Sequence, residues 1–348
     1  MPMQTSELSV RLNTPAFLGD ADQKGVWRTP PLKALMREWW RIAAAPAADY
    51  RHQKLREQEG VLFGNAWLDS GASQSKVRLG LAHWKEGGSG WEHKDLTVKH
   101  DEVKFPVGSQ LYLGYGPLMY EKGAGLKLKN NAALQADDSN TLRLAWPETE
   151  KTIPHVLQLI HWFGTIGGRS RNGWGSLEFA GQKALAKHDE TLQTVLRPLG
   201  DCLQLDWPHA IGQDKQGALI WESSKSFTDW KEAMQFLART KIGFRTQKPL
   251  EFGKAPTPHK YPLARHLLAY PVTNHKVTAS GWGGDGRLAN QLRFKLFRDS
   301  QQQLRARIYH TPHACPLPGV MLDQQAVWQK IHHWLDQNTD LQRLGDAQ

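Results

Sequence analysis

The chain has 348 residues and carries 44 Lys+Arg against 34 Asp+Glu, which gives a formal net charge of +10 at pH 7. The length favours two domains of ordinary size, and the positive charge favours nucleic acid over an acidic or neutral partner. Because there is neither a basic amino-terminal leader nor an apolar run of about 18 residues, the sequence predicts a cytoplasmic protein with no membrane partner. Cys202 and Cys315 form no CxxC pair, which argues against a disulfide framework or a structural zinc site.

The first half of the chain combines strand and helix patterns. The most distinct helix begins near Thr29, which can cap a helix whose first position is Pro30 or Pro31, and continues through LKALMREWWRIAAA. A second helical pattern runs from Pro154 to Gly164. Alternating polar and apolar residues predict strands at Leu8–Leu12, Ser75–Trp84, Leu111–Tyr115, Leu142–Trp146 and Ser176–Phe179.

The second half repeats this order. Strands are predicted at Leu219–Glu222, Leu267–Thr273, Leu292–Asp299 and Leu304–His310, and helices after Thr228 or Asp229 and over Gln324–Gln337. Strand, helix, strands, helix is the split βαβ order. The sequence therefore predicts an α+β protein with two ferredoxin-like (RRM-like) domains carrying loop insertions, in residues 1–185 and 186–348, and a frayed end from Leu341 onward.

The first helix has one basic face. Lys33, Arg37 and Arg41 recur every four positions and lie opposite the apolar residues. Like charges at this spacing repel by about 0.2–0.5 kcal/mol per pair, so the stripe indicates either a solvated face or a surface completed by an anion. Its removal is predicted to leave thermal stability nearly unchanged. Arg28 and the free amides at the helix amino terminus favour the second interpretation, because they can converge on one phosphate.

A glycine-rich loop follows the second helix. Five of the twelve residues from Gly164 to Gly175 are glycine, with two arginines among them. Glycine lets main-chain amides approach a ligand closely, and arginine supplies forked donors for phosphate oxygens. If the loop is extended, Arg169 and Arg171 point the same way and clamp adjacent phosphates. A nucleotide-binding P-loop is excluded because Trp174 and Gly175 stand where Lys and Ser or Thr are required.

Aromatic residues and a second glycine-rich segment have competing interpretations. Most tryptophans are expected in cores or interfaces, but four lie beside basic residues and are candidates for base stacking: Trp27, Trp39, Trp40 and Trp174. The segment GWGGDG, from Gly281 to Gly286, satisfies GxGxxG, but a strand pattern follows it instead of the helix that a dinucleotide site needs. It is predicted to be a mobile loop whose Trp282 and Arg287 touch RNA.

The run FLGDADQKGVWRTPPLKALMREWWR, from Phe17 to Arg41, closely resembles the opening of the RAMP-superfamily subunits numbered one of the Cmr complex, the type III-B CRISPR effector. The resemblance continues at LFG, SKVRL, GTIGGRSRNGWGSLEF and RLANQLRFKLF. It implies paired ferredoxin-like folds, a place near the 3′ end of the guide, and a role in capturing target RNA, while cleavage belongs to other subunits. The implied partners are guide and target RNA and other Cmr subunits.

The predicted RNA-binding residues combine the basic stripe, the glycine-rich loop and the matching segments: Lys24, Arg28, Lys33, Arg37, Arg41, Lys76, Arg78, Gly167, Gly168, Arg169, Ser170, Arg171 and Asn172. No cofactor, metal or catalytic residue is predicted. The alternative is a metal-independent endoribonuclease that processes guide RNA through a histidine or lysine. His310, His313 and Cys315 form an HxxHxC cluster, but it lacks a fourth zinc ligand. A scaffold that contacts only proteins is the third class.

Overall fold

The computed structural model describes residues 2–66, 71–88, 90–91, 93–129, 132–248, 250–252 and 257–344. The first half contains β1 Met3–Leu12, α1 Thr29–Ala44, α2 His52–Phe63, β2 Arg78–Leu81, β3 Thr97–Val98, β4 Val107–Gly108, α3 Ser109–Gly114, β5 Leu118–Glu121, β6 Gly125–Leu128, β7 Ser139–Pro147, α4 Thr152–Phe163 and β8 Leu177–Phe179. The second half contains α5 Glu190–Val195, β9 Leu196–Pro198, α6 Leu199–Cys202, β10 Ile211–Asp214, β11 Gly217–Ala218, β12 Ile220–Ser223, α7 Trp230–Thr246, β13 Leu292–Arg298, β14 Leu304–His310, α8 Gln324–Gln337 and β15 Leu341–Arg343. Short 3₁₀ helices span Pro46–Ala48 and Ala264–Leu267.

The first half is built on a four-stranded sheet in the order β2-β7-β1-β8, with every neighbouring pair antiparallel. Along β1, Leu8, Val10 and Leu12 are buried while the residues between them are more exposed, as alternation predicts. α1 and α4 pack against each other, and their apolar faces complete the core that these strands begin. The two helices are therefore fixed beside the sheet from which the candidate loops emerge.

The second half repeats the arrangement with the sheet order β13-β14-β12-β15, again antiparallel throughout. Helix α7 follows β12 and helix α8 follows β14. Asp229 and Asp323 cap these helices, since their side chains accept hydrogen bonds from the amides of Lys231 and Ala326. The predicted mixed α+β architecture is confirmed.

The two halves are joined through the carboxyl end of α4. The last four carbonyl groups of a helix have no partner within it. Here Lys295 Nζ donates to the carbonyls of Ile160 (3.0 Å) and His161 (2.5 Å). Arg307 and Tyr309 donate to the next two carbonyls, at 2.6 and 2.8 Å. Side chains of the second sheet thus donate hydrogen bonds to the free carbonyl groups at the end of α4, and these bonds hold the two halves together.

Several sequence predictions are wrong for identifiable reasons. Residues 111–115 lie at the end of α3 and the turn after it, because the Asp95 carboxylate accepts hydrogen bonds from the amides of Gln110 (2.8 Å) and Leu111 (3.4 Å) and so fixes a helical turn. Residues 267–273 begin with the last residue of a 3₁₀ helix and form only an isolated bridge at Tyr270. Leu341–Arg343 pairs with β12 instead of fraying; residues 345–348 lie outside the described residues. Helix α2 was not predicted.

Candidate nucleic-acid interface

The basic stripe on α1 is largely engaged by an acid of the neighbouring helix. Arg37 Nε lies 2.5 Å from Glu59 Oε1, and Arg41 Nε lies 2.7 Å from Glu59 Oε2. The Glu59 side chain is only 7% exposed. Burial alone would raise the pKa of Glu59, but hydrogen bonds from Arg41 and Arg37 outweigh burial and hold this pKa below its usual value. The prediction of a free cationic face is therefore wrong for Arg37 and Arg41, which hold α2 against α1.

The other two residues predicted around this helix have different environments. Lys33 is half-buried, and burial together with the neighbouring charge of Arg37 lowers its pKa. Arg28 donates to the carbonyl of Gly19, so its guanidinium holds its own loop in place. Pro30 and Pro31 lie in the first turn and remove two of the amides that a phosphate would need. The predicted phosphate site at the start of α1 is therefore not formed by these groups.

The glycine-rich loop is turned, which corrects the expectation of an extended loop. The amide of Asn172 donates to the carbonyl of Arg169 (2.9 Å), and that of Gly173 to the carbonyl of Ser170 (3.0 Å). Arg169 is exposed at φ +57°, a left-handed conformation that few non-glycine residues adopt. Gly167 is also left-handed, at φ +89°. Arg169 and Arg171 therefore do not form the predicted clamp.

Arg171 and Asn172 connect the loop to the second half of the chain. Arg171 donates to the carbonyl of Asn290 (3.0 Å), and its own carbonyl accepts from the amide of Phe294 (3.1 Å). Burial, aided by the charge of Arg293, lowers the pKa of Arg171 to about 10. Asn172 is buried and accepts a hydrogen bond from Lys241. Both residues were predicted to touch RNA, but the structure engages them within the protein.

The glycine-rich loop and the loop before α1 meet at one edge of the sheet. The amide of Gly168 donates to the carbonyl of Phe17 at 2.9 Å. A Cβ added at Gly167 would lie 2.7 Å from the same oxygen, so only glycine fits there. Lys24 and Arg169 are exposed, one on each loop. We call residues 20–24 and 167–170, Ser170 included, the paired-loop surface.

Lys76 and Arg78 lie elsewhere. Both are exposed, and Arg78 begins β2, the strand at the opposite edge of the sheet from β8. The amide of Lys76 donates to the carbonyl of Leu62 near the end of α2 (2.9 Å). The predicted site residues therefore divide into separate groups, and only Lys24 and the residues from Gly167 to Ser170 share the paired-loop surface.

The tryptophans proposed for base stacking are all in the core. Trp27, Trp39, Trp40 and Trp174 are at most 3% exposed. Trp282 is fully buried and donates to the carbonyl of Pro318 (2.8 Å), while Arg287 donates to two carbonyls of its own loop. That segment is therefore held by internal hydrogen bonds, and the buried ring of Trp282 is not available for base stacking. Exposed rings that sequence reasoning missed are Trp84 (60%) and Tyr115 (65%).

Two cations on α7 were also missed. Lys241 and Arg245 are four residues apart on α7, and Lys241 Nζ donates to Asn172 Oδ1 of the glycine-rich loop at 2.7 Å. The spacing of one lysine and one arginine on a helix was visible in the sequence. What the sequence could not show is that this face of the helix is turned toward the first half of the chain.

The histidines are held by protein groups. His310 and His332 are buried and hydrogen-bonded to each other at 2.9 Å, and the ring of His313 lies 2.8 Å from the carbonyl of Ala314. Burial, aided by the charge of Arg343 and opposed by that of Asp214, lowers the pKa of His332 to about 3. Within the described residues, no group of three or more His, Cys, Asp or Glu side chains is placed to hold a metal ion.

No helix in the described parts of the chain is long and apolar enough to cross a membrane.

In comparisons with known proteins, residues 10–178 match the model of the RAMP superfamily. No curated protein matches the chain. The apo crystal structure of Cmr1 from Pyrococcus furiosus is similar, with 14% identity, 99% of each chain covered and a TM-score of 0.47. A chain of the type III-B Cmr-beta complex bound to cognate target RNA is similar at 10% identity, covering 95% of this chain and 99% of that one, with a TM-score of 0.47.

Proposed function

We propose that this chain, whose residues 10–178 match the model of the RAMP superfamily, is a member of that superfamily and a non-catalytic RNA-binding subunit of a type III CRISPR ribonucleoprotein. Its proposed partners are guide and target RNA and the other subunits of a Cmr complex. It grips the RNA backbone near the 3′ end of the guide and helps to capture target RNA. The net charge of +10 supports a polyanionic partner.

We further propose that residues 1–185 and 186–348 are two ferredoxin-like domains. Each half contains strand, helix, two strands, helix and strand, interrupted by insertions. When the four strands of each sheet are numbered along the chain, their order across the sheet is 2-3-1-4 in both halves. This repeated order supports the split βαβ assignment.

The observation that carries the proposed function is the contact between the two loops, where Gly168 N lies 2.9 Å from Phe17 O. Lys24 and Arg169 are both exposed on these two loops, which supports assigning them to one RNA-binding surface. The Arg169 side chain has no hydrogen-bond or ion-pair partner among the described residues, and the Lys24 side chain has only a long contact to Glu86 at 3.5 Å. Exposed cations without close protein partners can neutralise phosphates without first breaking an internal ion pair.

The test is incubation of pure protein with labelled single-stranded guide RNA, with Mg²⁺ and with EDTA. We expect a retarded complex and intact RNA in both conditions. The double variant Lys24→Gln, Arg169→Gln should bind at least about tenfold more weakly, since each charge-assisted contact contributes roughly 1.5–3 kcal/mol. The matched control is Lys215→Gln, Lys330→Gln, which removes two exposed cations of the second half and the same net charge.

Three outcomes would contradict the proposal. Absence of any complex would leave a scaffold that contacts only proteins. Cleavage in EDTA would instead identify a metal-independent endoribonuclease. Equal loss of affinity in the control variant would show that net charge, and not the paired-loop surface, determines binding.

A further inference from the structure

A group of cations at the contact between α7 and the glycine-rich loop lacks an anion. It consists of Lys241, Arg245 and Arg169, which we call the Lys241 cluster. Lys241 is only 7% exposed, and its ammonium group donates to the Asn172 side-chain oxygen at 2.7 Å. The charges of Arg245 and Arg169 both act on it and, after burial, lower its pKa further. A buried ammonium group thus lies within the electrostatic influence of two more accessible guanidinium groups.

Protein acids form no ion pair with this cluster, although the charge of Glu102 acts on Arg245. Among the described residues, no carboxylate forms an ion pair with Lys241, Arg245 or Arg169. The nearby carboxylate of Glu102 is already engaged by Arg265, which donates to both of its oxygens. Burying a cation without a paired anion costs several kcal/mol by order of magnitude, so an anion that reached this cluster would be bound favourably.

Both sides of the cluster are fixed by the fold. Asn172 Nδ2 donates to the carbonyl of Leu113 at 2.8 Å, which positions the oxygen that Lys241 contacts. The guanidinium of Arg169 lies close to the backbone of Gly116. A Cβ added at Gly116 would be 3.3 Å from Arg169 Nη2. The Arg245 side chain is half-buried and forms no side-chain hydrogen bond within the described residues. The donors are therefore prearranged, and two of the three remain accessible.

We propose that the Lys241 cluster binds a backbone phosphate of the RNA, so that α7 of the second half contributes to the same RNA path as the paired-loop surface. This inference rests on the proposed function. Arg169 belongs to both groups, which makes the path continuous from Lys24 through Arg169 to Arg245. A phosphodiester supplies the anion that Lys241 and Arg245 lack, and its two free oxygens suit an ammonium and a guanidinium group.

The test compares Lys241→Gln and Arg245→Gln with Arg239→Gln in the full-length chain. Arg239 lies on the same helix, two residues from Lys241 and so on a different face, and its partner is Asp340 at 3.8 Å. We expect each cluster variant to bind a single-stranded RNA about ten- to a hundred-fold more weakly, while the control changes little. The slope of log affinity against log salt should fall in magnitude by about 0.7 for one lost phosphate contact.

Thermal stability separates binding from a structural role. Lys241→Gln keeps a donor for Asn172 and removes an unbalanced charge, so its melting temperature should equal or exceed that of the wild type. If Lys241→Gln does not fold, Arg245→Gln decides the question. Wild-type affinity in the folded cluster variants overturns this inference while the proposed function stands. Failure of the wild-type protein to bind any RNA overturns the proposed function itself.

Discussion

Glu59→Gln tests whether the basic stripe on α1 is structural. Glu59 is buried and accepts three hydrogen bonds, one from Arg37 at 2.5 Å and two from Arg41 at 2.7 and 3.2 Å. Removing one partner of a fully buried ion pair costs about 3–5 kcal/mol. Because the Arg41 side chain is 43% exposed and can regain water, we expect a smaller loss, roughly 2–3 kcal/mol in the free energy of unfolding.

The assay is urea unfolding at pH 7, followed by tryptophan fluorescence. Glu57→Gln is the matched control, since Glu57 lies on the same helix, is exposed, and only accepts a bond from Gln53 at 3.3 Å. The difference between Glu59→Gln and wild type should depend on pH. Because the pKa of Glu59 is lower in the folded than in the unfolded protein, its carboxylate stabilises the fold at pH values above the unfolded-state pKa. This stabilisation is lost as the pH falls through the folded-state pKa. If Glu59→Gln unfolds at the same urea concentration as Glu57→Gln, the structural assignment of the stripe is refuted.

The remaining predictions concern loop geometry, an exposed ring and buried histidines. In thermal melting, Gly167→Ala should destabilise the protein by about 1–3 kcal/mol, because the φ of Gly167 is +89° and the new Cβ would lie 2.7 Å from Phe17 O. Gly168→Ala should be tolerated in the same experiment, because the nearest atom to its new Cβ would be 3.3 Å away. Tyr115→Ala should weaken RNA binding by about 1–3 kcal/mol if its 65% exposed ring stacks on a base, and an unchanged titration would exclude such stacking. Since burial lowers the pKa of His332 to about 3 in the folded protein, the unfolded state binds more protons below pH 6.5. The free energy of unfolding of the wild-type protein should therefore decrease as the pH falls below 6.5. Between pH 7 and pH 5, the urea concentration at the unfolding midpoint should decrease less for His332→Gln than for the wild type.

Much of the fold could be predicted from local patterns. The heptad-like spacing of Leu32, Leu35, Met36 and Trp39 predicted the buried face of α1. Of the two predicted caps of α7, Thr228 and Asp229, the structure uses Asp229. The predictions failed where a distant group decides the structure. No local pattern shows that Asp95 fixes the turn of α3.

The candidate site was predicted by residue type and not by environment. A stripe such as that on α1 has the same sequence pattern whether the anion is a phosphate or a buried Glu59, and only the packing of α2 distinguishes them. Arg169 and Arg171 are two residues apart, yet one is exposed and the other donates to a carbonyl of the second half. Lys241 was overlooked because its significance depends on contacts made across the two halves of the chain.

The most direct test of the account is the salt dependence of single-stranded RNA binding by the pure wild-type protein. Each phosphate neutralised contributes a slope of about −0.7 in log affinity against log salt. Because the proposed path includes the paired-loop surface and the Lys241 cluster, we expect a slope of roughly −1.4 or steeper, similar for two unrelated RNA sequences. A flat salt dependence, or binding to only one of the two sequences, would contradict a protein that grips the RNA backbone.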